Sequence, residues 1–283
     1  MVFQPVGDTT LVELAPDNNL GGNEFVIAGT SGIGTKYRGL FKFDLRCIPP
    51  NSKIKSATLS LEVTGEPPTD SVSSTFELHR MLKNWGEGNK LSEETSKGLG
   101  ATAGTNEATW NSPFAFTSNS WSFPGASNDF VPSVSSSAPV DPASGFPVFA
   151  SNPQMVDDAQ LWTSNPSTNF GWLLKSALEE TRRTGRRFGS REFAAGDTNS
   201  RPFLEIEFVQ PPQILFPQIT NGQFRFSFLA ESNSAYNVQF VTSLGSTNLW
   251  QTLTNISAMP VSTNILVEDM LSSVTRFYRV LPQ

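Results

Sequence analysis

The side chains able to do chemistry are few and scattered. The chain of 283 residues holds a single histidine and a single cysteine. His79 cannot build a histidine metal triad, and a Ser–His–Asp hydrolase would need a Gly-x-Ser-x-Gly elbow, which the sequence lacks. His79 alternates with Leu78 and Arg80 along an extended run, so a structural histidine is expected. Cys47 can form no intrachain disulfide and reads as a small, half-buried hydrophobe at a strand end. The carboxylate pairs Glu93-Glu94, Asp157-Asp158 and Glu179-Glu180 invite a glycosidase reading. That chemistry needs two carboxylates facing each other across a cleft, and adjacent residues point in different directions.

Ligand-holding chemistry is better represented. Six tryptophans are present, and aromatic faces stack on the C–H surfaces of sugars. Trp110 and Trp121 fall in a loop-rich stretch and Trp85 precedes Gly86-Glu-Gly, so these three are candidate sugar contacts; the alternative is that they pack the loops. Pro16-x-x-Asn19-x-Gly21 and Pro166-x-x-Asn169-x-Gly171 echo each other. In each, proline starts a turn, asparagine bonds its own backbone, and glycine takes a positive φ before a strand. The same residues offer a second reading, in which Asp8, Asp17 and Asn19 give oxygens to a structural Ca²⁺. Asp44 is expected to accept N–H bonds from the turn after it. Asp158 is expected to cap or to pair with an arginine, and Arg80 and Arg201 to meet buried carboxylates.

The elements that must position these residues are mostly strands. Apolar–polar alternation marks 9–14, 23–28, 37–45, 54–63 and 74–82, with Pro49-Pro50 breaking the ladder between the third and fourth. From 86 to 153 the alternation stops. Ser, Asn, Gly and Pro dominate, yet aromatics remain frequent, which predicts a long ordered loop insertion packed on one face of a sandwich. Met155–Trp162 is the best helix, of two turns at most. Strands resume at 170–175, 187–193 and 202–209. Gln210-Pro-Pro-Gln is a plausible boundary, and the remainder carries short strands at 224–229, 235–241, 250–253, 263–269 and 276–281. The expected organisation is all-β: a jelly-roll-type sandwich over 1–209, with the insertion at about 86–153, then a small fibronectin/Ig-like sandwich over 210–283.

Charged residues are 16% of the chain, below the usual quarter or so, and the net charge is −6. The Arg182, Arg183, Arg186, Arg187 cluster reads as a solvated hairpin tip. With no broad basic face, nucleic acid is not an expected partner. No apolar run reaches the ~18 residues of a membrane span. The start lacks the charged and apolar regions of a signal peptide.

Several segments resemble the DNRLRE-type family of secreted β-sandwich domains, some of which are classed as carbohydrate-binding modules. They include Pro16-Asp-Asn-Asn-Leu-Gly-Gly, Arg38-Gly-Leu-Phe-Lys-Phe-Asp-Leu, Leu78-His-Arg-Met-Leu-Lys-Asn-Trp-Gly-Glu-Gly, Asn165-Pro-Ser-Thr-Asn-Phe-Gly-Trp and Arg201-Pro-Phe-Leu-Glu-Ile. The tail, through Ala235-Tyr-Asn-Val-Gln-Phe, Thr247-Asn-Leu-Trp-Gln-Thr-Leu and Arg276-Phe-Tyr-Arg-Val, is similar to a module common at the C-terminus of large secreted proteins of Verrucomicrobia-like and Planctomycetes-like bacteria. The resemblance implies export to the medium or cell surface, with a signal peptide removed. It also implies attachment or scaffolding work rather than a reaction. Trp85, Trp110, Trp162 and Trp172 lie in family motifs, which favours core packing for them and leaves Trp121 the freest candidate. The leading expectation is a non-catalytic module for polysaccharide or cell-surface glycan, with no required cofactor beyond a possible structural Ca²⁺. A filament, sheath or surface-layer subunit self-associating through strand edges is the alternative, for which Met1–Val6 would suit strand donation. A polysaccharide-active hydrolase or lyase is a second alternative.

Overall fold

A computed structural model describes residues 1–92, 98–142, 145–193, 200–245, 249–270 and 275–283. The Glu93-Glu94 pair and residues 247–248 of the tail motif lie outside these. In chain order the strands are β1 (Val2–Phe3), β2 (Pro5–Val12), β3 (Asn18–Asn19), β4 (Phe25–Thr30), β5 (Lys36–Phe43), β6 (Lys53–Ser60), β7 (Val63–Gly65), β8 (Ser74–Arg80), β9 (Ala101–Thr102), β10 (Ser136–Val140), β11 (Val148–Phe149), β12 (Trp172–Ser176), β13 (Arg186–Gly189) and β14 (Phe203–Val209). The later strands are β15 (Leu215–Thr220), β16 (Gln223–Ala230), β17 (Tyr236–Val241), β18 (Gln251–Ile256), β19 (Thr263–Met270) and β20 (Phe277–Pro282). The fold is an all-β sandwich with a single α-helix among the described residues, α1 (Pro153–Ser164).

The chain divides into two compact units. The first comprises Met1–Cys47 with Ser56–Glu207, the second Ile48–Lys55 with Phe208–Gln283. The segment 48–55, placed by the sequence reading in the first domain, thus belongs to the second. Ile48 and Ile54 are buried there, and the Lys55 ammonium reaches the Gln283 carbonyl.

In the first unit one sheet runs β1-β14-β6-β11 and a larger one runs β10-β8-β12-β5-β4-β13-β7, with β2 also on β5. β5 is buried almost throughout, and its alternation feeds two different cores. Phe41 and Phe43 are wholly buried on one side, where Phe43 meets Trp172 at 6.2 Å and Phe76 meets Phe188 edge-on at 5.2 Å. Leu40, across the ladder from Leu173, joins Leu11 and Met81 in a second cluster with Trp85, Trp110 and Trp121. The insertion is what covers this second face. A sheet apolar on both sides must have both sides covered, and the aromatics of 86–130 do that. The insertion is not all loop, however: β10 pairs with β8 and β11 with β6.

The N-terminal segment expected to be free for donation is already paired, Val2 with Glu205 and Phe3 with Leu204. Helix α1 is longer than its apolar spacing suggested. Asn152 caps it by accepting the Met155 N–H at 3.1 Å, and Pro153 occupies its first turn, the usual start signal. It buries Met155, Asp158, Ala159 and Trp162. In the second unit two three-stranded sheets, β15-β16-β19 and β18-β17-β20, enclose Phe226, Phe228, Tyr236, Val238, Val267 and Val280.

Candidate functional site

The three tryptophans proposed as sugar contacts are core residues. Trp85, Trp110 and Trp121 are 3%, 8% and 5% exposed. One edge or face of each is already engaged. The Trp85 indole N–H donates to the Phe170 carbonyl at 2.8 Å, that of Trp121 to the Thr109 carbonyl at 2.9 Å, and the Trp110 ring carries the Arg38 guanidinium at 5.5 Å. A residue surrounded by Leu, Met and other Trp side chains presents no face to a polymer. The exposed aromatics of the insertion are Phe116, Phe123 and Phe146 instead.

The calcium set is likewise not assembled. Asn19 is fully buried, and its oxygen accepts the Gly21 and Lys90 N–H groups at 2.9 and 3.3 Å. Its amide nitrogen donates to the Glu87 and Ala108 carbonyls at 2.7 and 2.9 Å. Asn19 is therefore a backbone knot with no oxygen to spare. Asp17 is exposed and accepts from Asn111. Asp8 does sit among carboxylates, but different ones: oxygens of Asp8, Glu87 and Glu192 lie within 4.8 Å of one another. Arg191 already serves this group. Its Nε and Nη2 fork onto Glu87 at 2.5 and 2.7 Å, its Nε lies 2.9 Å from Glu192, and its backbone N–H donates to Asp8 at 2.9 Å. A calcium ion needs six to eight oxygens, and here a guanidinium takes the Glu87 pair. As placed, Glu87 and Glu192 form an internal ion pair with Arg191, while Asp8 accepts its main-chain N–H. Burial pushes the Asp8 carboxyl well above its ordinary range, against the pull of the Arg191 N–H; burial raises Glu192 as well.

Other sequence expectations meet definite fates. Arg80 Nε pairs with Asp158 at 2.9 Å, and the same carboxylate accepts from Ser135 and the Trp172 indole. Arg201 instead donates to the Phe193 carbonyl. Asp44 accepts the Arg46 N–H at 3.0 Å. His79 is buried with Nδ1 at 3.0 Å from the Val131 carbonyl. Cys47 is exposed rather than half-buried. In the echoed turns both asparagines accept the N–H of the glycine two residues on. Gly171 takes φ +76°, whereas Gly21 does not have a positive φ; a Cβ there would lie 2.1 Å from the Glu87 carbonyl oxygen.

The arginine hairpin, expected as a solvated tip, does expose Arg182 and part of Arg183, but it buries Arg186. It walls an open cleft of about 630 Å³. Three loops meet there, at 30–37, 65–72 and 181–187, and they are tied together by main chain. Gly185 and Arg183 donate to the Thr30 and Ser31 carbonyls at 2.9 and 3.2 Å, and Val72 donates to the Arg183 carbonyl at 2.9 Å. Arg186 is the pin. Its side chain has no exposure, and its Nη atoms donate to the carbonyls of Thr184, Gly185 and Val72 at 3.2, 3.0 and 3.0 Å. Glu66 lies 3.8 Å from its Nε, which has no hydrogen-bond partner. Burial lowers the Arg186 pKa. The cleft lining includes Ile27, Tyr37 and Pro67. Tyr37 is 7% exposed, and burial raises its pKa. At the rim, Arg187 lies over the Phe25 ring at 4.3 Å and Arg183 pairs with Asp70.

A scan against models of protein families finds no match to the chain, and a search of curated proteins finds none either.

Proposed function

We propose that the chain is a non-catalytic, extracellular binding module for polysaccharide, and that the ligand sits in the arginine-walled cleft of the first unit. The single observation that carries this reading is the cleft itself. Its volume of about 630 Å³ falls in the range of about 300–1,000 Å³ usual for small-ligand sites. It is held open by loops that bond to one another, so little order has to be created on binding. Its lining mixes apolar surface (Ile27, Ile33, Pro67, Pro68) with hydrogen-bond donors (Tyr37, Arg187), the mixture that a sugar's C–H faces and hydroxyls require. One carboxylate, Glu66, lines it, whereas the common glycosidase mechanism uses two on opposite sides of the bond. The likeness to secreted sandwich domains supports the same reading.

The test is retention of the purified chain on a panel of insoluble and gelled polysaccharides, with and without a calcium chelator. Retention on a subset, unaffected by chelator and lost in Ile33→Asp, is expected. Ile33 is 74% exposed, so the substitution should leave stability within about 0.5 kcal/mol. Retention that survives Ile33→Asp, or no retention on any polymer, would overturn the proposal.

A further inference from the structure

We infer that the ligand of this cleft is an anionic glycan, one bearing carboxylate or sulfate groups; this rests on the reading of the cleft as a glycan site and narrows it to a chemical class. The charge balance is the first argument. The chain as a whole carries −6, yet the cleft is lined by Arg183, Arg186 and Arg187 against Glu66, and with Asp70 on Arg183 at the rim one positive charge is still left in excess. A cleft of one sign on a protein of the other draws in the opposite charge and focuses its field there.

The second argument is which donors are free. Arg186 is spent on main-chain carbonyls and acts as a positioning residue, holding its charge beneath the wall. Asp70, 77% exposed, pairs with Arg183 at the rim, and such a surface pair gives way readily to a better acceptor. Arg187 has no carboxylate or hydrogen-bond partner for its guanidinium among the described residues; its Cζ lies over the Phe25 ring at 4.3 Å. The Tyr37 hydroxyl, in a side chain more than nine-tenths buried, likewise has no partner among them. A guanidinium fixed against an aromatic ring, with its outer edge unused, offers the planar fork that matches a carboxylate or a sulfate bidentately. The hydroxyls of Ser31, Tyr37 and Thr69 in the lining can accept as well as donate, so it is the unpaired guanidinium and the excess positive charge that favour an anion over a neutral sugar. The one acidic acceptor in the lining, Glu66, is already taken up by the Ser71 hydroxyl at 3.1 Å and by the charge of Arg186.

Native affinity electrophoresis of the full chain separates the possibilities. The probes are polygalacturonate (carboxylate), dextran sulfate (sulfate), neutral dextran and xylan, and single-stranded DNA as an anionic polymer of another class. Retardation by polygalacturonate or dextran sulfate is expected, weakened about tenfold by Arg187→Gln, the loss of one charge-assisted bidentate contact, and weakened again as salt is raised. Which of the two polymers retards more identifies the anion. Arg183→Gln, at the half-exposed rim, is a second variant should Arg187→Gln lower the melting temperature, and it should weaken binding in the same direction. Retardation by a neutral polymer, unmoved by either variant, would sink the anionic assignment and leave the glycan-module proposal standing. Equal retardation by DNA would reduce the cleft to unspecific electrostatics and overturn the assignment. No retardation by any polymer would remove both.

Discussion

Trp121→Ala separates a packed tryptophan from a sugar platform. Trp121 is 5% exposed and packs in a cluster with Leu11, Leu40, Met81 and Leu173. Truncating a tryptophan in such a place costs about 3–5 kcal/mol, the transfer free energy of the ring plus the cavity it leaves. Within that sum the Thr109 carbonyl loses its 2.9 Å donor, a loss on the order of 1 kcal/mol. For a unit of this size each kcal/mol moves the midpoint by about 2–4 °C, so the first transition should fall by roughly 6–20 °C. The assay is differential scanning calorimetry, in which the two units can melt as separate transitions. Trp121→Phe keeps most of the packing and should fall between the two. A platform tryptophan would instead leave the transition within about 0.5 kcal/mol while abolishing retention on polysaccharide. A Trp121→Ala protein with an unchanged melt would refute the burial argument for the whole insertion.

Further perturbations read other parts of the structure. The raised pKa of Asp8 means that the folded state still binds a proton where the unfolded chain has released it. Its contribution is therefore complete below the ordinary carboxylate range and is lost as pH rises through the folded value. Asp8→Asn should flatten this fall, its melting temperature gaining on the wild type as pH rises above the ordinary carboxylate range; calcium-dependent stabilisation of the wild type, absent in Asp8→Asn, would contradict the ion-pair reading. Asp158→Ala strips the partner from Arg80, Trp172 and Ser135 together, and a denaturant titration should show a loss of about 3–5 kcal/mol. Gly21→Ala drives a Cβ toward the Glu87 carbonyl; it should cost about 1–3 kcal/mol in the same titration, whereas a glycine chosen for its turn alone would tolerate alanine.

Periodicity carried the fold further than it carried the site. The strands around Leu40, Phe41 and Phe43 and the second unit's β16, β17 and β19 are legible because alternation in a half-buried or buried strand follows directly from the pleat. β15 was not, since Phe216, Pro217 and Gln218 are all exposed and leave no alternation. β10 and β11 were hidden inside a Ser/Pro-rich stretch; their pairing comes from β8 and β6, partners remote in sequence. The start of α1 could have been read from Asn152-Pro153. The site failed for a different reason. An exposed and a buried tryptophan look alike in sequence, and so do a hairpin-tip arginine and Arg186, whose carbonyl partners are set only by the tertiary fold. The acidic group shows the same limit: the sequence grouped Asp8 with Asp17 and Asn19, whereas Glu87 and Glu192 meet it only after residues 79 and 184 positions along the chain fold back, and Arg191 arrives with them.

The central claim is the location of the binding site, and hydrogen–deuterium exchange with a soluble oligosaccharide cut from whichever polymer retains the chain tests it most directly. The account predicts slowed exchange confined to 30–37, 65–72 and 181–187, the loops that build the cleft. Protection centred on the insertion near Trp121 or on the strands of the second unit, with those loops unchanged, would contradict it.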